Sequence, residues 1–274
     1  MSLRMAVKRF PLASYFILAY AISVIALIVL GPPSLAPGGH RNLLSLAMFP
    51  VMVIWVGATG IVLTAAEQGR AGLRNLRARM TRWAVGAGWY AAAILIPPAA
   101  ILLVLALLTD FVSPAFTPNL YPGGITYGIV AGFFEEIGWS GFAYPRLRAR
   151  LGAPAAAVLL GVLWGLWHLP VVDSLGSASP HGPAWPAFFG AFVALVAGLR
   201  VLICWIYSHT ESVLLAQIMH ASNTGFLVVL GATAVSPIQE AFWYALDAGA
   251  LWVIVALVLA GHGFRALARP RPPQ

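Results

Sequence analysis

The chain has 274 residues, 61% of them hydrophobic and only 9% charged, with a formal net charge of +8. A soluble globular domain carries roughly 25% charged residues, so this composition excludes one and defines an integral membrane protein. The basic residues are clustered and no basic-aromatic module accompanies them, which argues against a nucleic-acid surface and for topology signals and anionic-lipid contacts.

In chain order, Arg4, Lys8 and Arg9 precede an apolar run over 11–30. That run is too long for the h-region of a signal peptide and predicts a first transmembrane helix. A Gly/Pro-rich loop follows, then a second span over 43–66 with a kink expected at Pro50. Residues 67–83 carry Arg70, Arg74, Arg77, Arg79 and Arg82, with Leu73, Leu76 and Met80 at helical spacing on the other side. This pattern predicts an interfacial amphipathic helix on an anionic leaflet. A third span over 87–108 is interrupted by Pro97-Pro98. The fourth, 124–144, contains Glu135 and Glu136 and ends before Arg146, Arg148 and Arg150. The fifth, 153–172, holds Trp164 and His168. The sixth, 184–207, holds Arg200. The seventh, 212–232, holds His220 and Asn223. The eighth, 241–261, holds Asp247, and Arg265, Arg269 and Arg271 follow it.

The expected fold class is therefore all-α, a polytopic bundle of about eight transmembrane helices. An even number of spans puts both termini on one side. Of the sixteen basic residues, that side receives all but Arg41 and Arg200, so the positive-inside rule makes both termini cytoplasmic. Arginine supplies fifteen of the sixteen and alanine is abundant, a composition that points to a bacterial cytoplasmic membrane. Cys204 is the single cysteine, which rules out an intramolecular disulfide. Its apolar surroundings make it a poor nucleophile. The expected organisation is one structural unit in three parts: 1–120 with the basic segment, 121–232 as the core that carries the chemistry, and 233–274.

The ionisable groups inside spans are Glu135, Glu136, His168, Arg200, His220 and Asp247. On translocon scales a central acidic residue costs about 2.5–3.5 kcal/mol, so an adjacent pair implies a function and a partner. In a bundle these side chains face inward. A carboxylate and a neutral imidazole can share a water, the carboxylate taking its proton so that hydroxide attacks a carbonyl. A second His and an amide can donate to the developing oxyanion. Glu135, His168 and His220 could equally hold a zinc ion, although the His-Glu-x-x-His motif is absent. His40, His181, His209 and His262 fall in loops or at span ends and read as solvated. One tension stays in view: these spans put His168 nearer the outer face than Glu135 and His220.

Glu135-Glu136 followed by Gly-Trp-Ser-Gly-Phe, then Trp164 and His168, then His220 with Asn223, resembles the CPBP family. This is the CAAX-protease and bacteriocin-processing group of intramembrane endopeptidases, also called Abi. The resemblance covers about 121–230. It implies Glu135 and His168 as activators of water, His220 and Asn223 as the oxyanion site, and Glu136 as a supporting carboxylate. It also implies peptide or membrane-protein substrates, of prenyl or leader type. The family is usually described as metalloproteases.

Two departures stand out. The family arginine of Glu-Glu-x-x-x-Arg is replaced by Ser140, and the usual Asn place after the last His is Thr224, with Asn223 one position earlier. Arg200, from a neighbouring helix, is a candidate replacement for the missing arginine. Two other readings remain. One is an inactive membrane scaffold or bacteriocin-immunity protein. The other is a proton-coupled transporter, against which no inverted repeat is visible.

Overall fold

The computed structural model describes residues 7–30 and 47–262. Arg4, His40, Arg41, the side chain of His262, and Arg265, Arg269 and Arg271 lie outside the described residues, as does the start of the second predicted span. The elements are α1 (Pro11–Leu30), α2 (Met48–Met80), α3 (Ala87–Phe111), α4 (Gly123–Gly138), a π-helical turn (Trp139–Ala143), α5 (Tyr144–Leu151), α6 (Ala153–Trp167), α7 (Trp185–Thr210), α8 (Val213–Val229) and α9 (Pro237–His262). No strand occurs among the described residues. Helices α1, α2, α3, α7 and α9 are each long and apolar enough to cross a membrane. Helices α6 and α8 are shorter, at 15 and 17 residues, and α4 continues through the π turn into α5. The protein is a polytopic all-α membrane protein, with its rods in the order the sequence predicts.

Two expected irregularities moved. Pro50 sits in the first turn of α2, where a missing N–H costs nothing, and produces no kink. The break comes instead at Gly69, whose φ of 61° is open to glycine. Pro97 and Pro98 lie inside a continuous α3. Pro98 removes the N–H that would have reached the Ile94 carbonyl, and Ser222 of α8 donates to that oxygen at 2.8 Å. The neighbouring helix thus satisfies the freed group.

The two basic segments at 70–82 and 146–150 meet at one end of the bundle. Beyond Gly69, Leu76 is buried, packed beside Gly141, while Arg70, Arg74 and Arg77 are exposed. The apolar stripe of the amphipathic segment therefore packs on protein. Arg79 donates to the Tyr207 hydroxyl at 2.6 Å and the Gly141 carbonyl at 2.9 Å. Arg146 pairs with Glu67, and Arg148 with Glu211 at 3.0 Å.

Helix α4 is held closest to α8. A Cβ on Gly128 would lie 2.3 Å from the Ala221 carbonyl oxygen, and one on Gly132 would lie 2.5 Å from the Gln217 carbonyl oxygen. Without a hydrophobic drive between helices in lipid, such small-residue stripes set how near two backbones come. Here they bring the Glu135-Glu136 pair to the face of α8 that bears His220.

Candidate active site

Glu136 is fully buried and all its partners come from close by. Arg200 of α7 grips it with two parallel bonds, Nη1 to Oε2 and Nη2 to Oε1, each 2.8 Å. The Ser140 hydroxyl, presented by the π turn, donates to Oε2. Arg200 Nη1 lies 3.4 Å from that same hydroxyl, and its guanidinium stacks over the Trp164 ring at 4.2 Å. The bidentate fork is the strong form of this contact. Arg200 is therefore the cationic partner of Glu136, reached from a neighbouring helix, while position 140 supplies only a hydroxyl.

His220 Nδ1 lies 2.8 Å from Glu136 Oε1. A carboxylate in an ion pair accepts, so Nδ1 carries the proton and Nε2 is the ring's working atom. His168 is fixed in the same sense, with Nδ1 at 2.9 Å from the Trp164 carbonyl. A carbonyl can only accept, so His168 presents an Nε2 lone pair.

Glu135 differs from its neighbour. Its Oε2 accepts from two indoles, Trp164 Nε1 at 2.8 Å and Trp139 Nε1 at 3.1 Å. It borders a cavity of about 440 Å³ that His168, His220, Asn223 and Thr224 also line. Asn223 is buried, and its Oδ1 has no partner among the described residues. Side-chain amides turn over between two near-equivalent placements, so the same position can present Nδ2 as donor. The rest of the wall is mostly aromatic and aliphatic, including Phe49 stacked on Tyr127 at 4.0 Å.

The tension over His168 is resolved on the Glu135 side. Pro145 does not end the rod: α4 runs on through the π turn and α5 to Leu151, so Glu135 and His168, the half-buried C-cap of α6, lie at comparable distances from the Gly152 turn that joins them. All five sequence-predicted site residues are thereby brought together, four on the cavity and Glu136 directly behind His220. Arg200 belongs to the same cluster.

The sequence reading missed the indole donors, because tryptophan in a membrane chain reads as interfacial belt. It also misjudged His181, which is buried at 1% exposure, and His209, which stacks on Trp89 at 5.1 Å. Asp247 is buried with neither oxygen hydrogen-bonded among the described residues. Two imidazoles and a carboxylate have the donor chemistry of a zinc site. Among the described residues, however, no three such groups are placed to share one ion.

A helical membrane bundle with a buried Glu/His cluster on an internal cavity is the class that these observations define. Residues 117–226 match the family model described as type II CAAX prenyl endopeptidase, Rce1-like. The CAAX prenyl protease 2 of Methanococcus maripaludis (strain S2) is 25% identical over 177 residues, 60% of this chain and 62% of that protein. The chain thus spans less than two thirds of that relative's length. Both matches bear out the resemblance to the CAAX-protease family, and the family segment contains every residue of the cluster.

Proposed function

We propose that the chain is an intramembrane endopeptidase that hydrolyses peptide bonds by a water activated between Glu135 and His168. The observation that carries this reading is Glu135 itself. One oxygen is held by two indoles, and the carboxylate borders a mostly apolar cavity shared with two neutral-tautomer imidazoles and a buried amide.

The chemistry follows from the groups. Water gives a proton to Glu135, and the hydroxide attacks the carbonyl carbon of the peptide. His168 Nε2 accepts the second O–H and orients the attack. The oxyanion takes a hydrogen bond from the Asn223 amide, while His220, its Nδ1 proton directed at Glu136, presents Nε2 to the same cavity. When the C–N bond breaks, the proton held on Glu135 passes to the amine nitrogen. Glu136 and Arg200 do not touch the reacting atoms; they fix the His220 ring. No step is routed through a metal, because the groups are not grouped to share one.

The wall favours an apolar or lipid-modified peptide, as prenyl- and leader-type substrates would be. Anionic lipids fit Arg70, Arg74 and Arg77 at the arginine-rich end. The test is Glu135→Gln compared with wild type in cells, read by mass spectrometry of membrane-associated protein termini, with thermal unfolding in parallel. Loss of processed termini by a factor of about 100 or more, with the fold retained, is the expected result. Unchanged termini from a folded variant would remove Glu135 as the base.

A further inference from the structure

The route to Glu135 is closed from the arginine-rich end. Immediately on that side lie Ser140, Glu136 and Arg200, each 0% exposed. Beyond them come Tyr144 and Tyr207, also buried, with the Tyr207 hydroxyl taken by Arg79. Opening that path would break a buried ion pair, the most costly contact in the site to separate. The cavity extends the other way, along α8 through Thr224 and Leu227. There its lining includes Ser174, Leu175 and Gly176, from the segment that follows His168.

That segment, 172–184, is fastened to α9 by one carboxylate. Glu240, 0% exposed in the first turn of α9, accepts the backbone N–H groups of Ser177 at 2.6 Å and Ala178 at 2.7 Å. His181 Nε2 lies 3.3 Å from Glu240 Oε2, too poorly aligned for a hydrogen bond, so the contact is chiefly between charges. On its other side Asp173 Oδ1 accepts the His181 backbone N–H at 2.9 Å and faces Nδ1 at 3.2 Å. Gly176, at φ +87°, crosses directly over the carboxylate, where a Cβ would lie 2.5 Å from Oε1. A smaller cavity of about 120 Å³ lies beside this fastening.

We infer that substrate reaches Glu135 from the end opposite the arginines, and that residues 172–184 form a lid across this route, latched by Glu240 through Ser177, Ala178 and His181. The inference rests on the protease reading for its purpose, but its geometry stands apart from turnover. The latch is a few charge-assisted bonds to one side chain, and besides it the His181 ring stacks on Phe188 of α7 at 3.7 Å.

The test uses the full chain in right-side-out and inverted membrane vesicles, with one added cysteine at a time and a membrane-impermeant sulfonated maleimide. Cys204 is buried and gives a silent background. Exposed Asp110→Cys, at the far end of α3, and exposed Arg70→Cys mark the two ends. Thr224→Cys should react in the orientation that exposes Asp110→Cys. Adding Glu240→Gln should speed it about tenfold, as expected when charge-assisted hydrogen bonds are lost. Reaction in the Arg70→Cys orientation, or in neither orientation even with Glu240→Gln, overturns the route. An unchanged rate with Glu240→Gln overturns the latch. If Thr224→Cys does not accumulate, Leu227→Cys takes its place. Labelling needs no catalysis, so the two readings fail separately. Intact processing by Glu135→Gln sinks the protease, and labelling from the wrong end sinks only the route.

Discussion

Arg200 and Glu136 are joined by two parallel 2.8 Å bonds between α7 and α4, with both side chains 0% exposed. Such a pair stabilises little when compared with an apolar substitute, yet removing one member leaves an uncompensated buried charge. Arg200→Ala is therefore expected to lose about 3–5 kcal/mol of stability. The double variant Arg200→Met with Glu136→Leu should recover most of this, because neither charge remains. It should not recover processing, since His220 Nδ1 has lost the carboxylate that orients it. Thermal unfolding in detergent and terminal mass spectrometry separate the two effects. An Arg200→Ala protein as stable as wild type would show that the pair does not exist in the membrane.

The two indoles on Glu135 make a finer prediction. Trp164→Phe and Trp139→Phe each keep the ring packing and remove one N–H donor. Loss of a hydrogen bond to a charged group is worth about 1.5–3 kcal/mol. Trp164, with the shorter 2.8 Å bond and the cation–π contact to Arg200, should matter more than Trp139 at 3.1 Å. The expected outcome is a lower kcat for both, with the larger drop for Trp164→Phe and little change in KM. Equal activity in all three proteins would mean that the carboxylate needs neither donor.

These two networks show where sequence reasoning reached and where it stopped. Ionisable residues are so rare inside apolar spans that Glu135, His168 and His220 were conspicuous singly, and the long apolar runs gave the helices. The partner of Glu136 was legible only as a charge-balance guess, because Arg200 is 64 positions away on another helix. The depth of Glu135 was misread because Pro145 looks like the end of a span, whereas in the first turn of α5 it lets the rod run on to Leu151. The Pro50 kink failed for the same reason: proline disturbs a helix interior, and Pro50 is at a start. Glu240, Asp173 and His181 look like loop polarity in a linear reading, and only their convergence makes them a buried cluster.

The glycine stripe of α4 should be intolerant of size in a way that activity reports. Gly132→Ala would put a methyl 2.5 Å from the Gln217 carbonyl oxygen, which backbone cannot yield without moving α8. Overpacking of this kind costs about 1–3 kcal/mol. The shift also lengthens the Glu136–His220 contact, now 2.8 Å. Gly132→Ala is therefore expected to remain folded with reduced thermal stability and to lose processing out of proportion to that loss. Gly190→Ala, where the added methyl meets nothing within 4 Å, is the matched control and should behave as wild type. If both variants process substrate normally, the close approach of α4 and α8 is not what sets the site.

The latch should weaken with rising pH. Burial pulls the His181 pKa down, but the Glu240 and Asp173 carboxylates on either side of the ring outweigh it and hold the value above the ordinary 6.5. A group whose folded pKa is raised contributes its full stabilisation below its unfolded pKa and loses it as pH climbs through the folded value. The window therefore begins near 6.5 and runs upward. The charged and titratable groups facing the ring are Asp173 on the loop and Glu240 on α9, with Tyr244 one turn further along that helix. Within the window, loss of the His181 proton removes the charge that draws the ring to Glu240; the neutral ring keeps one N–H, toward Asp173, and the tie to α9 falls to the Ser177 and Ala178 backbone bonds. Labelling of Thr224→Cys, corrected for the reagent's own pH dependence with exposed Asp110→Cys, should accelerate as pH rises through it. His181→Gln should label fast at every pH and show no such rise. A wild-type rate that is flat after correction, or a His181→Gln profile identical to wild type, would mean that His181 does not hold the lid.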